Sequence, residues 1–202
     1  MTIRWVASST LCFAASKLWL FGLPVVWRLT VDREPLSLSP PRHGGFGMAV
    51  LSGLGISALI AGAFLLLGEK LIDRAFVVER IRAIGLATPA HYIGGAAYWI
   101  LVNSVLEEYV WRWFCVQKCE VFLVRPAAVV ASAACFTLHH VIALQVYFAP
   151  LAVVLCSIGV FIGGAVWSAM YMRYRSVWPG FVSHAVVDLC IFGLGAWMIF
   201  GG

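Results

Sequence analysis

Residues 45–67 (GFGMAVLSGLGISALIAGAFLLL) contain no charged side chain, and comparable apolar stretches recur along the chain at 6–27, 92–115, 127–148, 150–172 and 178–200. About 20 mostly apolar residues are what an α-helix needs to cross the hydrocarbon of a bilayer. The runs are continuous rather than alternating, which excludes the strands of a membrane barrel. Their ends carry Pro35, Pro40, Pro41, Pro89, Pro126, Pro150 and Pro179, with Trp27 and Trp178 placed where amphipathic rings favour a membrane interface. Composition closes the soluble alternative: 62% of 202 residues are hydrophobic and only 11% are charged, at a mean hydropathy of +0.95. A chain of this size cannot hide that much apolar surface in a core of its own. The expected fold is all-α, a polytopic membrane bundle of about six transmembrane helices.

Between the second and third stretches, residues 68–90 (GEKLIDRAFVVERIRAIGLATPA) mix charge and bulk at roughly helical spacing. This predicts a short interfacial helix with Val77, Ile81 and Ile84 turned toward lipid. The organisation that follows is two N-terminal transmembrane helices over 1–67, a connector over 68–90 and a four-helix core over 91–202. The net charge of +5 sits in short basic clusters between apolar runs, as topology determinants do, so nucleic acid is not an expected partner. Arg4 precedes the first apolar stretch, but that stretch continues past Lys17 to Trp27 with no A-x-A cleavage site, and a retained first helix is expected. The six cysteines show no CxxC spacing and read as small, reduced packing residues.

Ionisable residues inside such spans are the informative ones, because each costs about 2.5–3.5 kcal/mol at a helix centre. Seven stand out: Lys17, Glu107, Glu108, His139, His140, His184 and Asp188. Lys17 is read as snorkelling to the interface. The other six come from only three spans, which points to a polar chamber rather than to isolated glue between helices. Glu108 and Arg112 are spaced i,i+4, as are His184 and Asp188, while Phe136 lies one turn before His140. Glu107 lies about 100° round the helix from Glu108, so it can face the bundle while its neighbour is held by Arg112. Carboxylate plus imidazole is a toolkit for activating water; the same set ligates Zn²⁺ as two His and one Glu, or relays protons in a small transporter.

Three motifs in order resemble the CPBP intramembrane proteases, also called the ABI family, which includes the CAAX prenyl endopeptidases. EExxxR is present as Glu107-Glu108-Tyr109-Val110-Trp111-Arg112, FxxxH as Phe136-Thr137-Leu138-His139-His140, and HxxxN/D as His184-Ala185-Val186-Val187-Asp188. The resemblance covers about residues 80–200 and implies an intramembrane endopeptidase acting on a membrane-embedded or membrane-proximal peptide bond. It implies Glu107 as general base on water with His140 as its partner, an oxyanion stabilised around His184 and Asp188, and Glu108, Arg112 and Phe136 in support. The favoured reading is glutamate-type and requires no cofactor; a zinc shell of Glu107, His140 and His184 is the competing arrangement. Asp188 stands where many members carry Asn, so it is expected to orient His184, leaving oxyanion donation to His184. His139 is expected to face away as a packing residue. The partners implied are membrane lipid and a peptide or protein with a transmembrane or lipid-anchored segment, in peptide maturation or removal of a C-terminal sorting signal. The expected location is an integral position in a bacterial cytoplasmic membrane. A non-catalytic bacteriocin-immunity or scaffold protein is the alternative, ahead of a small proton-coupled transporter.

Overall fold

In the computed structural model, residues 2–201 are described, with side chains described for Leu11 and from Ala14 to Gly201. Arg4 and Cys12, used above, have side chains outside the described residues. The described backbone is helical, with no strand among the described residues. The chain divides into two compact units, Met1–Pro40 and Pro41–Gly202. The first holds α1 (Thr2–Thr30), which carries Pro24, followed by a short stretch whose Glu34 and, at 3.7 Å, Asp32 pair with Arg28 in the last turn of α1.

The second unit contains α2 (Phe46–Leu71), α3 (Arg74–Ala83), α4 (Pro89–Tyr98), α5 (Ser104–Glu108), α6 (Gln117–Phe122), α7 (Arg125–Leu144), α8 (Pro150–Tyr174) and α9 (Val177–Phe200). Two wide-turn helices interrupt the middle: π1 (Trp99–Asn103) between α4 and α5, and π2 (Tyr109–Val116) between α5 and α6. Helix starts follow local chemistry. Thr88 accepts from the His91 amide ahead of Pro89, Asp73 accepts from the Phe76 amide at 3.0 Å, and Ser176 accepts from the Trp178 amide. Pro126 and Pro150 occupy the first turns of α7 and α8.

Among the described residues, four helices, α2, α7, α8 and α9, are long and apolar enough to cross a membrane, and with their bare outer faces they make this an integral membrane protein. They match the expected stretches 45–67, 127–148, 150–172 and 178–200 within a few residues. Helix α7 stops at Leu144 because residues 145–149 turn back toward Pro150. The stretch 92–115 lies within a helical rod from Pro89 to Phe122 that alternates α and π turns. The stretch 6–27 lies in α1, partly outside the described side chains. The predicted interfacial helix is α3, but it is shorter than 68–90 because α2 runs on to Leu71. Val77 is buried, not turned to lipid, while Ile84 is exposed. Arg74 ties α3 down by donating from Nε to the Met198 carbonyl on α9 at 2.8 Å.

Helix α9 is the hub, packing on α2, α8 and α5, and α7 lies along α8. Small residues set the closeness of both contacts. A Cβ on Gly164 would lie 3.0 Å from the Phe136 ring, and one on Gly53 would lie 2.9 Å from Val186 and 3.0 Å from the Ser183 carbonyl. At one end Trp113, Val116, Ala128, Tyr171, Met172 and Val177 form a buried cluster, closed by Glu120, which binds Arg175 through both carboxylate oxygens at 2.6 and 2.8 Å. That carboxylate holds the Arg175 guanidinium above its ordinary pKa. Because α2 has no slack against α9, Gly53→Leu should cost about 1–3 kcal/mol and lower the thermal midpoint of the detergent-solubilised protein. An unchanged midpoint would show that the two helices do not meet at this residue.

Candidate active site

The five-residue helix α5 carries the paired glutamates between two π segments, a device that recurs at functional sites because a widened turn re-aims the side chains beside it. Glu107 and Glu108 are both buried yet serve different neighbours.

Glu108 belongs to a fully buried charge set. Its Oε1 lies 3.6 Å from Arg112 Nη1 and accepts from His184 Nδ1 at 3.1 Å. Arg112 lies over the Phe136 ring at 4.4 Å and the Trp167 ring at 5.2 Å, and donates from Nη2 to the Gly164 carbonyl at 3.4 Å. A guanidinium with no exposed surface is thus held by a carboxylate, a carbonyl and two aromatic faces. Gly180 is needed opposite: a Cβ there would collide with Glu108 Oε2.

Glu107 faces the histidines. Its Oε2 stands 4.0 Å from His140 Nε2 and 4.0 Å from His184 Nε2. Its Oε1 accepts from the Asn103 amide at 2.8 Å and lies 4.0 Å from His139 Nε2. His140 directs Nδ1 at the Phe136 carbonyl at 3.0 Å, which fixes the proton on Nδ1 and leaves Nε2 toward Glu107. The Phe136 ring walls the same space, 4.3 Å from the His140 ring. His184 stacks on Trp167 at 4.0 Å and 16°. The Trp167 indole donates to Ser183 Oγ at 3.0 Å, which in turn lies 3.0 Å from Ser52 Oγ on α2. Asp188 Oδ1 is 3.8 Å from His184 Nε2, and its Oδ2 accepts from Ser104 at 2.6 Å.

Every residue singled out from the three motifs therefore lies in one chamber lined by α5, π2, α7, α8 and α9. One expectation differs in detail. His184 is oriented by Glu108, the nearer carboxylate, rather than by Asp188. His139 packs its ring against Trp111, centroids 5.8 Å apart, and stands 4.0 Å from the other oxygen of Glu107. Sequence reasoning passed over Asn103, Ser104 and Trp167; the adjacent pair Asn103-Ser104, one turn before Glu107 in an apolar run, was the available signal.

A zinc shell fits this geometry poorly. Donors around tetrahedral zinc at about 2.0–2.1 Å sit about 3.3 Å apart, whereas Glu107 stands 4.0 Å from both His140 and His184. Among the described residues no three His, Cys, Asp or Glu side chains converge to hold a metal ion.

Comparison with known families gives a match. The family model described as Rce1-like, type II CAAX prenyl endopeptidase Rce1-like, matches residues 89–190, just over half of the chain and the whole of this chamber. No curated protein and no solved structure matches.

Arg112 is the group whose loss the chamber can least absorb. Arg112→Met should destabilise the protein by about 3–5 kcal/mol, the cost of leaving a partner charge buried alone. Adding Glu108→Gln should recover part of it in denaturation measurements in detergent. A single variant as stable as the parent would mean that Arg112 and Glu108 do not depend on each other.

Proposed function

The chain belongs to the Rce1-like family of CAAX-type endopeptidases, and we propose that it hydrolyses a peptide bond at membrane depth with Glu107 as the base. The observation that carries this reading is the arrangement of three atoms. Glu107 Oε2, His140 Nε2 and His184 Nε2 face one another, with Glu107 at 4.0 Å from each ring. That spacing is too long for direct hydrogen bonds and suits one water shared among them.

Glu107 Oε2 takes a proton from this water as its oxygen adds to the substrate carbonyl carbon. His140, its proton held on Nδ1, accepts the second water hydrogen at Nε2 and aims the attacking lone pair. The carbonyl electrons move onto oxygen, and His184, as an imidazolium anchored through Nδ1 to Glu108, donates from Nε2 to that oxyanion. Collapse of the tetrahedral intermediate re-forms the carbonyl and breaks the C–N bond, while the proton on Glu107 passes to the leaving amine. Asp188, held by Ser104, limits how far the His184 ring can turn. No step calls for a metal. The substrate class is a peptide with a transmembrane or lipid-anchored segment, because only such a segment reaches a site enclosed by spanning helices.

The test is cleavage of a quenched peptide library by the detergent-purified protein. Glu107→Gln should lower kcat by about 10³-fold, and His140→Ala and His184→Ala by about 10²-fold or more, with activity unchanged by chelator. Cleavage retained in Glu107→Gln would remove the base. Chelator inhibition reversed by Zn²⁺ would replace this mechanism with a metal-assisted one.

A further inference from the structure

Glu107 presents its two oxygens to two different environments. Oε2 faces His140 and His184, while Oε1 accepts a 2.8 Å hydrogen bond from the Asn103 side chain. Asn103 is buried and closes π1, and the widened turn hands over to α5 so that Asn103 and Glu107 stand i,i+4 on one face. The three recognisable motifs do not include it. The next residue, Ser104, donates to Asp188 at 2.6 Å. Two consecutive polar residues at the π1–α5 junction thus each pin one carboxylate of the chamber, one on their own helix and one on α9.

We infer that Asn103 is a positioning residue that fixes the orientation of the Glu107 carboxylate, so that one oxygen stays aimed at His140 and His184. The inference rests on the reading of Glu107 as the base. A carboxylate is symmetric, and a glutamate side chain rotates readily about its last bond. Without a fixed donor on one oxygen, the carboxylate plane would also turn to orientations that aim neither oxygen at His140 and His184, which stand 4.0 Å from it and are not bonded to it directly. The amide of Asn103 restricts that rotation. It donates to Oε1, brings no charge, and leaves Oε2 toward the two Nε2 atoms. A second carboxylate in this place would repel Glu107, and an apolar side chain would take this donor away from a buried oxygen.

The experiment uses the full-length protein in detergent and a quenched peptide that the wild type cleaves. Asn103→Leu keeps the branched four-atom outline of Asn, Asn103→Asp also keeps its volume, and both lack the amide donor. Each should lower kcat by about 10- to 100-fold, the worth of one hydrogen bond to a charged group, with KM within about threefold of the parent; Asn103→Asp should be the more impaired. Thermal midpoints report folding separately, and the isosteric Asp variant decides the matter if the Leu variant does not fold. A kcat within threefold of the parent in a folded variant, or a loss confined to KM, overturns the inference. So does a kcat loss that the variants recover when the assay is run well below their lowered midpoints, which would make Asn103 merely structural. Cleavage retained by Glu107→Gln on the same peptide would instead sink the base assignment, and so separates failure of that reading from failure of this one.

Discussion

Arg112 has no exposed surface, and a full positive charge at membrane depth is tolerated only if its surroundings replace water. The chamber is arranged around that requirement. Glu108 supplies the counter-charge, Gly164 a carbonyl, and Phe136 and Trp167 two aromatic faces. Each contact fixes a helix: Glu108 is on α5, Phe136 on α7, Gly164 and Trp167 on α8. Glu108 then reaches α9 through His184, and Trp167 stacks beneath the same ring. One buried cation therefore sets the relative positions of the elements that carry Glu107, His140 and His184. Gly180 has no side chain because the Glu108 carboxylate fills the room a Cβ would take up, and Gly164 has none because the Phe136 ring and Ala133 of α7 do.

The π segments explain how one short helix serves two purposes. In an uninterrupted α-helix, successive positions are turned by about 100°, which is enough to separate Glu107 from Glu108. It does not by itself place Asn103, Ser104, Glu107, Glu108 and Arg112 all against buried partners. Widened turns on both sides of α5 adjust the phase before and after the glutamates, so that Ser104 reaches Asp188 on α9 while Arg112 reaches α8. Such turns are stable only where side chains and neighbouring helices compensate, and the Ser104 hydroxyl lies within reach of both the Trp99 carbonyl at 2.9 Å and Asp188 at 2.6 Å, with one proton to give to either.

Much of this was legible in the sequence, for physical reasons. Helix spans follow from unbroken apolar length and proline punctuation, which is why α2, α7, α8 and α9 fall within a few residues of their expected bounds. The site followed from the cost of ionisable groups in lipid together with i,i+4 spacing, which correctly paired Glu108 with Arg112 and set Glu107 apart. What was not legible depends on contacts between helices. No periodicity argument places Trp167 under His184, or makes Glu108 rather than Asp188 the nearer partner of that ring, because both depend on how α8 and α9 pack. Val77 turned inward because α3 packs against α9 rather than lying free on the membrane surface.

Charge balance constrains the chemistry as strongly as geometry does. Glu107, Glu108 and Asp188 bring three carboxylates against the single guanidinium of Arg112, and a low-dielectric interior does not tolerate the excess. An imidazolium can match it, and His184 is the best placed, with Glu108 at Nδ1 and both Glu107 and Asp188 near Nε2. An imidazolium there is what the oxyanion of a tetrahedral intermediate requires. In the proposed step, Glu107 gains a proton as the carbonyl oxygen gains a negative charge, so the charge of the chamber does not change. It moves a few ångströms, from one side of the His184 Nε2 proton to the other. Creating a new charge in a membrane is expensive, whereas shifting an existing one between two partners of the same cation is not. This is a physical reason for a hydrolytic site in lipid to pair a glutamate base with a histidine already held between carboxylates.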